Sequence, residues 1–462
     1  MSVGIAPAEP CDTHVQTLVI GAGAAGMVAA LSALEAGQEV LVLERDRVPS
    51  GSTALSAGLI PAAGTRFQRE AGIEDEPDLF AADIQRKAHG ENDPALVDLM
   101  ARTAAPVVEW LADRHGLPFS VVSDFDYPGH SRRRMHGLPS RAGRDLIDAL
   151  RGAAETAGVD ILTEARVETL LVGGGRVQGV IFRRPDGGEE RVGCDRLILA
   201  CNGYGANRDL VARHMPDIAE ALYFGHPGNM GEALLWGADL GAEIRHPGAY
   251  QGHGNVAHPH GILITWAVIT QGGVQVDASG RRFWNEAQGY SEAARAVEAC
   301  PGGTAVTVFD ARIAGIARQF ADFRDAEAQG AIRQANSPEA LAQAFGLPED
   351  ALAATLAEVA AAKDGAPDPF GRPFAGAPQL QPPYLGVKVR AALFHTQGGL
   401  AVDDLARVRR TDGGVIANLH ATGGAACGVS GSGDAGYLSG NGLLAAVTLG
   451  RIAGRGPLPQ PG

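Results

Sequence analysis

The feature that most restricts the fold of this chain is a glycine-rich turn between a short apolar strand and an alanine-rich helix. The strand is predicted over residues 15–20, the turn reads Gly21-Ala22-Gly23-Ala24-Ala25-Gly26, and the helix extends to about Ala36. A second apolar strand over residues 40–44 ends in Glu44. Glycines at this spacing allow a sharp turn and a close approach of the backbone to a pyrophosphate, and the acidic residue can accept hydrogen bonds from a ribose. The start of the chain therefore predicts a β-α-β unit that binds a dinucleotide at the N-terminus of its helix.

Composition excludes several classes of protein. Of the 462 residues, 63 are glycine and 45% are hydrophobic, as in a globular protein with a large core and many backbone sites that need a bare Cα. The 39 basic and 53 acidic side chains leave a net charge of −14, which argues against nucleic acid or an anionic membrane as a partner. The glycines follow no three-residue period, so a collagen-like structure is excluded.

Nothing in the sequence predicts membrane insertion, secretion or metal binding. The chain has no run of 18 apolar residues and does not start with a basic stretch followed by an apolar core. The five cysteines are scattered and lack Cys-x-x-Cys spacing, which favours reduced thiols over a disulfide framework or a metal site. We therefore expect a cytoplasmic protein without an integral membrane segment.

The rest of the chain alternates strand and helix patterns. Residues 166–182 predict a β-hairpin, and residues 195–200 predict another buried strand. An alanine-rich stretch over 336–363 predicts a helix, and the proline-rich residues 366–383 predict a linker. A last helix is expected to begin near Gly442. The pattern is that of an α/β protein.

The loop after the second strand, Gly51-Ser52-Thr53-Ala54-Leu55-Ser56-Ala57-Gly58, resembles the flavin-contacting loop of the fumarate reductase/succinate dehydrogenase flavoprotein superfamily. Further motifs that resemble those of this superfamily follow in the same order along most of the chain. They are Arg133 to His136, Leu199 to Asn207, Asn229 to Glu232, Gly272 to Glu286, Asp368 to Arg372, His395 to Gly399 and Ser439 to Leu443.

The resemblance implies an α/β fold with two domains and FAD as the cofactor. A Rossmann-like FAD-binding domain, with three layers and a parallel central sheet, is expected from residues 1–244 and 381–462. An inserted α+β capping domain that binds substrate is expected over residues 245–380. Members of the superfamily with covalent FAD carry a histidine where this chain has Ser52, so the resemblance implies non-covalent attachment.

The resemblance also implies a set of FAD contacts. The implied residues are Gly21, Gly23, Ala24, Ala25, Gly26, Glu44, Arg45, Ser52, Thr53, Ser56, Gly58, Val167, Cys201, Asn202, Gly203, Asn207, Gly231, Glu232, Gly423, Gly442, Leu443 and Leu444. One departure stands out, because the superfamily usually has Ala-Gly-Glu where this chain reads Ala421-Thr422-Gly423-Gly424.

The substrate-binding residues depart further from those of the fumarate reductases, which hold a dicarboxylate with two arginines and two histidines. This chain keeps candidates for both histidines, His253 and His395. In place of the arginines it has Tyr290, four residues after Glu286, and Tyr437 in the C-terminal glycine turn.

The residues that form the proton pathway of those reductases are also replaced. Their glutamate and arginine correspond to Trp266 and Ile269 in this chain. With the proton-donating arginine that Tyr290 replaces, three charges are lost from one catalytic relay, and we do not expect a plain fumarate reductase.

The two tyrosines resemble those of 3-ketosteroid dehydrogenases and related cyclic-ketone desaturases in the same superfamily. That resemblance implies that Tyr437, with the backbone N–H near Asn441, polarises a ketone while Tyr290 takes the α-proton and a β-hydride passes to flavin N5. To act as the base, Tyr290 needs a pKa below the free value of about 10. An oxidised flavin and a helix N-terminus can lower the pKa in this way. Ser439 follows the tyrosine as in enzymes that act on 4,5-saturated steroids, and Tyr127 is a candidate supporting phenol.

Structural alternatives remain open for several of these residues. Tyr290 could instead cap a domain interface, and His253 and His395 could be buried structural histidines. The basic stretch Arg132–Arg134 with His136 is expected to be a solvated strand with one inward arginine, which would suit a substrate carboxylate.

Three functions follow from this reasoning. The first is dehydrogenation of a small cyclic ketone or keto acid, of the oxocyclohexanecarboxylate or 3-ketosteroid type, with an external electron acceptor such as oxygen, a quinone or a carrier protein. The second is reduction of an unsaturated acid, or oxidation of a tricarballylate-type acid, with His253 and His395 holding a carboxylate. The third is a flavin-bearing scaffold or a nucleic-acid-modifying flavoprotein, which the charge of −14 disfavours.

Overall fold

The computed structural model describes residues 4–11, 13–123, 127–374 and 376–456. The chain divides into two compact units. Unit 1 consists of residues 1–210, 225–250 and 395–462, and unit 2 consists of residues 211–224 and 251–394.

Strands and helices alternate along both units. The strands are β1 Gly4–Pro7, β2 Thr13–Ile20, β3 Val40–Leu43, β4 Ile60–Pro61, β5 Ser120–Val121, β6 Met135–Gly137, β7 Asp160–Leu162, β8 Arg166–Gly173, β9 Arg176–Arg183, β10 Glu189–Leu199, β11 Leu222–Tyr223, β12 Ile244–Arg245, β13 Tyr250–Ala257, β14 Ile262–Leu263, β15 Val274–Val276, β16 Thr304–Asp310, β17 Ile332–Ala335, β18 Tyr384–Thr396, β19 Gly399–Leu400, β20 Arg407–Arg409 and β21 Val415–Ala421. The α-helices are α1 Ala24–Glu35, α2 Arg66–Glu70, α3 Pro77–Lys87, α4 Pro94–His115, α5 Gly143–Ala157, α6 Arg208–His214, α7 Glu232–Asp239, α8 Ala267–Thr270, α9 Tyr290–Glu298, α10 Ala311–Ala317, α11 Ala321–Ala328, α12 Pro338–Phe345, α13 Glu349–Lys363 and α14 Asn441–Arg455.

The main sheet of unit 1 runs in the order β1-β8-β9-β10-β2-β3-β7, with β21 also paired to β10 and β20 paired to β21. Strands β10, β2, β3 and β7 are parallel to their neighbours in that order, and β21 is parallel to β10. Because they are parallel, their carboxyl ends meet at one edge, which is where open α/β sheets bind ligands. The hairpin β8–β9 extends the sheet in antiparallel fashion.

The first helix of unit 1 is buried because it packs against β2, β3 and β10 of the sheet and against the neighbouring helices α5 and α14. Its residues from Ala24 to Ala33 are all buried, and α1 packs closely on α14. Glycine on α14 allows this approach, since a Cβ at Gly454 would lie 2.1 Å from the carbonyl oxygen of Ala29. The alanine and glycine content of the two helices therefore determines how near the C-terminal segment lies to the first β-α-β unit.

Unit 2 contains a sheet in the order β14-β13-β18-β16-β15, with β11 and β17 also paired to β18. The long strand β18 is antiparallel to β16 from Tyr384 to Arg390. Valines of β15 and β16 form a core with leucines of α12 and α13, so these two helices cover one face of the sheet. The unit is a mixed α+β structure.

The bounds of the units differ from the sequence expectation at three places. Residues 211–224 belong to unit 2 because β11 pairs with β18. Residues 381–394 also belong there, since they form most of β18. Residues 245–250 lie in unit 1.

The helix expected over 336–363 is two helices. Gly346 ends α12 in the left-handed conformation, with φ of 68°, and Pro348 precedes α13. A glycine C-cap followed by proline is a strong stop signal, and here it breaks the helix.

The α/β fold class with a parallel central sheet is confirmed. Among the described residues, no helix combines the length and the apolar character needed to cross a bilayer.

Candidate functional site

The glycine-rich turn of unit 1 has the geometry of a phosphate-binding turn. Gly21 has φ of 100°, in the left-handed region that favours glycine. A Cβ at Gly26 would lie 1.9 Å from the carbonyl oxygen of Gly21, so only glycine fits there. Gly23 is the N-cap of α1 and brings no capping side chain, and Ala24 donates its N–H to Thr53 Oγ1 at 3.1 Å. The N-terminal turn of α1, buried at Ala24 and Ala25, therefore presents backbone to an anion.

Glu44 lies at the end of β3, beside the same turn. Its carboxylate accepts hydrogen bonds from the N–H of Ala22 at 2.8 Å and of Asp46 at 2.9 Å. Burial raises the pKa of Glu44, against the lowering effect of those two N–H groups. The backbone thus fixes the carboxylate next to the turn, as a ribose-binding acid requires.

The loop after β3 is tied to two asparagines by Ser52. Its hydroxyl oxygen accepts amide hydrogens from Asn202 at 3.0 Å and from Asn229 at 2.9 Å. Asn202 comes three residues after β10 ends, so it lies at the carboxyl edge of the sheet. Its backbone is in the left-handed region, with φ of 65°. Ser52 itself begins a short 3-10 helix that also contains Thr53.

Arg45 and Glu232 form an ion pair at the start of α7. Arg45 lies 3.4 Å from Glu232 and also donates to the carbonyl of Gly228 at 2.7 Å. Gly231 is the N-cap of α7, and Asn207 holds the preceding turn through the carbonyl of Met230 at 3.0 Å. The other carboxylate oxygen of Glu232 is buried and has no hydrogen-bond partner among the described residues.

Strand ends approach one another closely around Gly203. A Cβ at Gly203 would lie 1.7 Å from Thr396 Oγ1, at the end of β18. That hydroxyl and Asn441 Oδ1, at the start of α14, are buried without a hydrogen-bond partner in the part of the chain that the structure describes. The bare turn of α1, with the carboxylate of Glu44 fixed beside it, fits a bound dinucleotide cofactor.

The remaining residues expected to contact FAD also lie in unit 1. Ser56 Oγ accepts from the N–H of Gly58 at 3.0 Å, and Gly423 has φ of 57° after β21. The others are Val167 in β8, Cys201 after β10, and Gly442, Leu443 and Leu444 in α14.

Tyr437 lies in the turn that precedes α14 and is buried. Its phenol oxygen accepts hydrogen bonds from the backbone N–H groups of Gly440 and Gly442. Burial raises the pKa of Tyr437, and these N–H groups lower it by a smaller amount. The phenol therefore keeps its proton at neutral pH, and its oxygen has two donors ready for any negative charge that develops on it.

His395 lies against this tyrosine. The two rings meet edge to face, with centroids 5.7 Å apart. Burial lowers the pKa of His395 to about 4, so the imidazole is neutral at pH 7. A Cβ at Gly442 would lie 3.2 Å from His395 Nε2, which places that nitrogen beside the first turn of α14.

Ser439 is buried two residues after Tyr437, and its backbone carbonyl is bonded by a histidine that the sequence did not predict. His130 Nε2 lies 2.9 Å from the carbonyl oxygen of Ser439, and His130 Nδ1 lies 3.4 Å from Arg134. Burial, together with the charge of Arg134, lowers the pKa of His130 to about 4. No motif marks His130, and only the fold connects it to the turn of Tyr437.

Arg134 is the inward arginine of the basic stretch, and it is already paired. Its side chain is buried and bonds both oxygens of Asp75 at 2.9 Å and one of Asp83 at 2.5 Å. Because two carboxylates neutralise it, Arg134 has no charge left for a substrate carboxylate. Arg132 and Arg133 are exposed.

His136 differs from the expected solvated strand because it is fully buried. Its ring bonds Thr65 Oγ1 at 2.7 Å and the carbonyl oxygen of Arg134 at 2.9 Å. Tyr127, the candidate supporting phenol, is half-buried and packs on the small cluster formed by Leu59, Val122 and Met135.

Unit 2 carries the other two candidates in an aromatic cluster. The ring of His253 lies between those of Tyr290 and Phe394, at 5.2 and 5.6 Å, with about 20° between the planes. Trp266 packs edge to face on His253 at 5.6 Å. Burial lowers the pKa of His253 to about 3, and its Nδ1 accepts the N–H of Asn255 at 3.1 Å. His253 is therefore neutral at pH 7, with its hydrogen on Nε2.

A buried ion cluster precedes Tyr290 in the chain. Glu286 pairs with Arg282 at 2.6 Å and with Arg372 at 3.2 Å, while Arg282 also pairs with Asp368. Arg372 donates to the carbonyl of Ile269 at 2.6 Å. These residues match sequence motifs, and their role in the structure is to fix the segment that leads into α9.

The structure thus brings Tyr437, Ser439 and His395 together in unit 1, and Tyr290 and His253 together in unit 2. Within the described ranges, no group of three or more His, Cys, Asp or Glu side chains could hold a metal ion.

Comparison with known proteins agrees with the dinucleotide turn. The FAD binding domain family matches residues 16–443. The chain is 31% identical over 456 residues to a probable fumarate reductase of Shewanella frigidimarina, covering 97% of this chain and 75% of that protein. It is 27% identical over 547 residues to 4-oxocyclohexanecarboxylate 2-dehydrogenase of Sinomonas cyclohexanicum, covering 96% of this chain and 93% of that protein.

Among solved structures, 3-ketosteroid-Δ4-(5α)-dehydrogenase of Rhodococcus jostii superposes with a TM-score of 0.78 at 24% identity, covering 98% of this chain and 99% of that one. At this identity the likeness shows the fold alone. Because the family match spans most of the chain and includes the turn, the acid and the flavin loop described above, this protein belongs to the FAD binding domain family, within the fumarate reductase/succinate dehydrogenase flavoprotein superfamily, and is an FAD-binding oxidoreductase.

Proposed function

We propose that this protein is an FAD-dependent dehydrogenase that introduces a double bond α,β to the carbonyl group of a small cyclic ketone or keto acid. The observation that carries the proposal is Tyr437, a buried and protonated phenol whose oxygen accepts two backbone N–H groups at the start of α14. A phenol held in this way can donate a hydrogen bond to a ketone oxygen and is stabilised as charge develops there.

Tyr290 is the proposed base, and unit 2 is the proposed substrate domain. Tyr290 begins α9, where the helix dipole favours negative charge. Its ring stacks on the neutral His253, and Trp266 lies 6.4 Å away where reductases of the superfamily have a glutamate. Uncharged aromatic surroundings suit a cyclic substrate better than a dicarboxylate.

In the proposed reaction, Tyr437 donates its O–H to the ketone oxygen and Tyr290 takes the α-proton as the carbon–carbon double bond forms. The chemistry that bound FAD supplies is acceptance of a hydride from the β-carbon. The two hydrogen bonds to Tyr437 lower the barrier to enolisation, which a tyrosine base could not overcome alone at pH 7. Oxygen, a quinone or a carrier protein is the proposed external electron acceptor.

We also propose that FAD is bound without a covalent bond. Ser52 occupies the loop position where covalent members of the superfamily have a histidine, and its hydroxyl is hydrogen-bonded to Asn202 and Asn229. Acid precipitation of the holoenzyme should release all of its flavin into the supernatant. Flavin that stays with the precipitate would contradict this.

Reduction of an unsaturated acid is the second candidate, favoured by the 31% identity to a probable fumarate reductase. It would use His253 and His395 to hold a carboxylate. The lowered pKa values of both histidines, about 3 and about 4, weigh against it because neither ring carries positive charge at pH 7.

Anaerobic flavin spectra separate the two candidates. The holoenzyme is mixed with cyclohexanone, with 4-oxocyclohexanecarboxylate and with a 3-ketosteroid, and the dithionite-reduced enzyme is mixed with fumarate and acrylate. Bleaching of the flavin by a ketone supports the dehydrogenase. Reoxidation by the unsaturated acids, with no bleaching by any ketone, would overturn it in favour of the reductase.

A further inference from the structure

A chain of buried hydrogen bonds links the start of α14 to His395. Asn441 Nδ2 donates to Ser430 Oγ at 2.9 Å, and Ser430 Oγ donates to Gln397 Oε1 at 2.7 Å. Gln397 Nε2 then lies 2.9 Å from His395 Nδ1. Asn441, Ser430 and Gln397 are at most 6% exposed, so water does not compete for these bonds.

The amide of Gln397 sets the direction of these bonds. Its Oε1 can only accept, so Ser430 uses its one hydrogen for that bond and accepts the hydrogen of Asn441 on a lone pair. Since the carbonyl oxygen of the Gln397 amide then faces Ser430, its NH₂ group faces His395. An amide NH₂ can only donate, and Nδ1 of His395 must therefore be the unprotonated nitrogen of a neutral ring.

The carbonyl oxygen of Thr396 offers the competing arrangement. It lies 3.2 Å from His395 Nδ1 and could accept a hydrogen from that nitrogen. An N–H at Nδ1 would then face the N–H of Gln397 at 2.9 Å, which is repulsive. The shorter bond and the orientation of the amide decide in favour of hydrogen on Nε2.

Nε2 is the nitrogen of His395 that lies beside the turn between Tyr437 and α14. It lies against Gly442, whose N–H is one of the two donors to Tyr437. We propose that Ser430 and Gln397 are positioning residues that hold His395 in the Nε2–H form, so that it donates a second hydrogen bond to the same carbonyl oxygen as Tyr437. The use of this hydrogen bond by substrate rests on the proposed function, whereas the position of the hydrogen on the ring does not.

The hydrogen position is read by long-range ¹H–¹⁵N correlation spectra of the holoenzyme labelled with ¹⁵N-histidine at pH 7. The signals missing from His395→Gln identify His395. Gln397→Glu is nearly isosteric but presents only acceptor oxygens to Nδ1, so the hydrogen should move to Nδ1 or the ring should become protonated. Ser430→Ala removes the donor to Gln397 Oε1, so the amide can rotate by 180° and present its oxygen to Nδ1. The hydrogen of His395 should then move to Nδ1 in a fraction of the molecules.

Ser432→Ala is the matched control, because Ser432 is exposed and its hydroxyl bonds to Glu91. It should leave the signals of His395 unchanged. Hydrogen on Nδ1 in the unaltered holoenzyme would overturn the proposal, as would unchanged signals in both Gln397→Glu and Ser430→Ala.

The rate of flavin reduction tests whether His395 donates a hydrogen bond to the carbonyl oxygen of the substrate. With the ketone that bleaches the flavin, Gln397→Glu should lower the rate of flavin reduction by about 10²-fold, the typical effect of losing one donor to a developing oxyanion. KM should change much less, and Ser432→Ala should match the unaltered enzyme. An unchanged rate in Gln397→Glu would overturn the proposed donation by His395. If no ketone bleaches the flavin, the proposed dehydrogenase fails, and the spectra still decide the hydrogen position.

Discussion

The ring of His253 lies parallel to the ring of Tyr290, with centroids 5.2 Å apart and 19° between the planes. Because burial keeps His253 neutral, this contact is an aromatic stack and not an ion pair with a phenolate. The stack limits the directions in which the phenol of Tyr290 can point.

Substitution of His253 tests this stacking. His253→Ala should slow flavin reduction by roughly threefold to tenfold, since an aromatic pair contributes about 0.5–1.5 kcal/mol beyond its buried area. His253→Phe keeps the stack and should restore most of the rate, as measured by anaerobic stopped-flow absorbance. Equal losses in both variants would show that the imidazole N–H matters instead of the ring.

The two tyrosines should have separable effects. Tyr437→Phe removes a donor to the developing oxyanion and should lower the rate of flavin reduction by about 10²–10³-fold. Tyr290→Phe removes the base and should lower it by about 10²–10⁴-fold. Tyr384→Phe alters a tyrosine that packs on the hydrophobic core of unit 2 and serves as the control. Normal rates in both Tyr437→Phe and Tyr290→Phe would exclude the proposed mechanism.

Buried neutral histidines should make the protein sensitive to acid. The pKa of His136 falls from an ordinary value of 6.5 to about 4 on folding, mainly by burial. The unfolded chain therefore binds more protons, and the free energy of unfolding should fall as pH drops from 6.5 towards 4, by up to about 1.4 kcal/mol per pH unit for each such residue. Above pH 6.5 this contribution is complete.

Denaturant unfolding between pH 7.5 and 5, at fixed FAD concentration, measures this slope. His136→Gln should reduce it by up to about 1.4 kcal/mol per pH unit, and Ser432→Ala, which removes no titratable group, should not. A slope that His136→Gln leaves intact would contradict the assignment.

The turn between β2 and α1 should not tolerate a side chain. Gly26→Ala would place a Cβ 1.9 Å from the carbonyl oxygen of Gly21 and should abolish FAD binding, measured as the ratio of absorbance at 450 and 280 nm after purification. Gly152 lies inside α5, where a Cβ would meet no atom within 4 Å. Gly152→Ala should retain FAD and raise stability by about 0.5–1 kcal/mol.

Loss of a charge from the buried ion cluster before α9 should be costly. Glu286→Gln leaves Arg282 and Arg372 without their shared carboxylate and should lower the free energy of unfolding by about 3–5 kcal/mol. Glu327 pairs with Arg318 at the surface, where their side chains are 26% and 49% exposed. Glu327→Gln should cost at most about 1 kcal/mol in the same denaturant titration.

Local patterns predicted the first β-α-β unit closely. The turn, the acid and a helix expected to end near Ala36 correspond to α1 Ala24–Glu35 and to Glu44 after β3. These features depend on glycine spacing and apolar runs within about 30 residues, and such signals are local. The superfamily, inferred from motifs in the same order along most of the chain, and the α/β fold class are also confirmed.

Contacts between distant residues could not be predicted in this way. The bond between His130 and the carbonyl of Ser439 spans 309 positions. The burial of Arg134 depends on Asp75 and Asp83, which lie on other elements. Residues 211–224 join unit 2 only because β11 pairs with β18, about 170 positions later. In each case tertiary packing, and not local preference, decides the outcome.

Unit 1 is assembled from three stretches of chain, and this has a consequence for its synthesis. The turn at α1 and the strand β10 leave the ribosome early, whereas β21, Tyr437 and α14 are made only after residues 251–394 of unit 2. At typical translation speeds that interval lasts on the order of 10 seconds. During it α1 lacks α14 and β10 lacks β21, so apolar surface that these two elements cover in the finished protein stays exposed and prone to aggregation until α14 emerges.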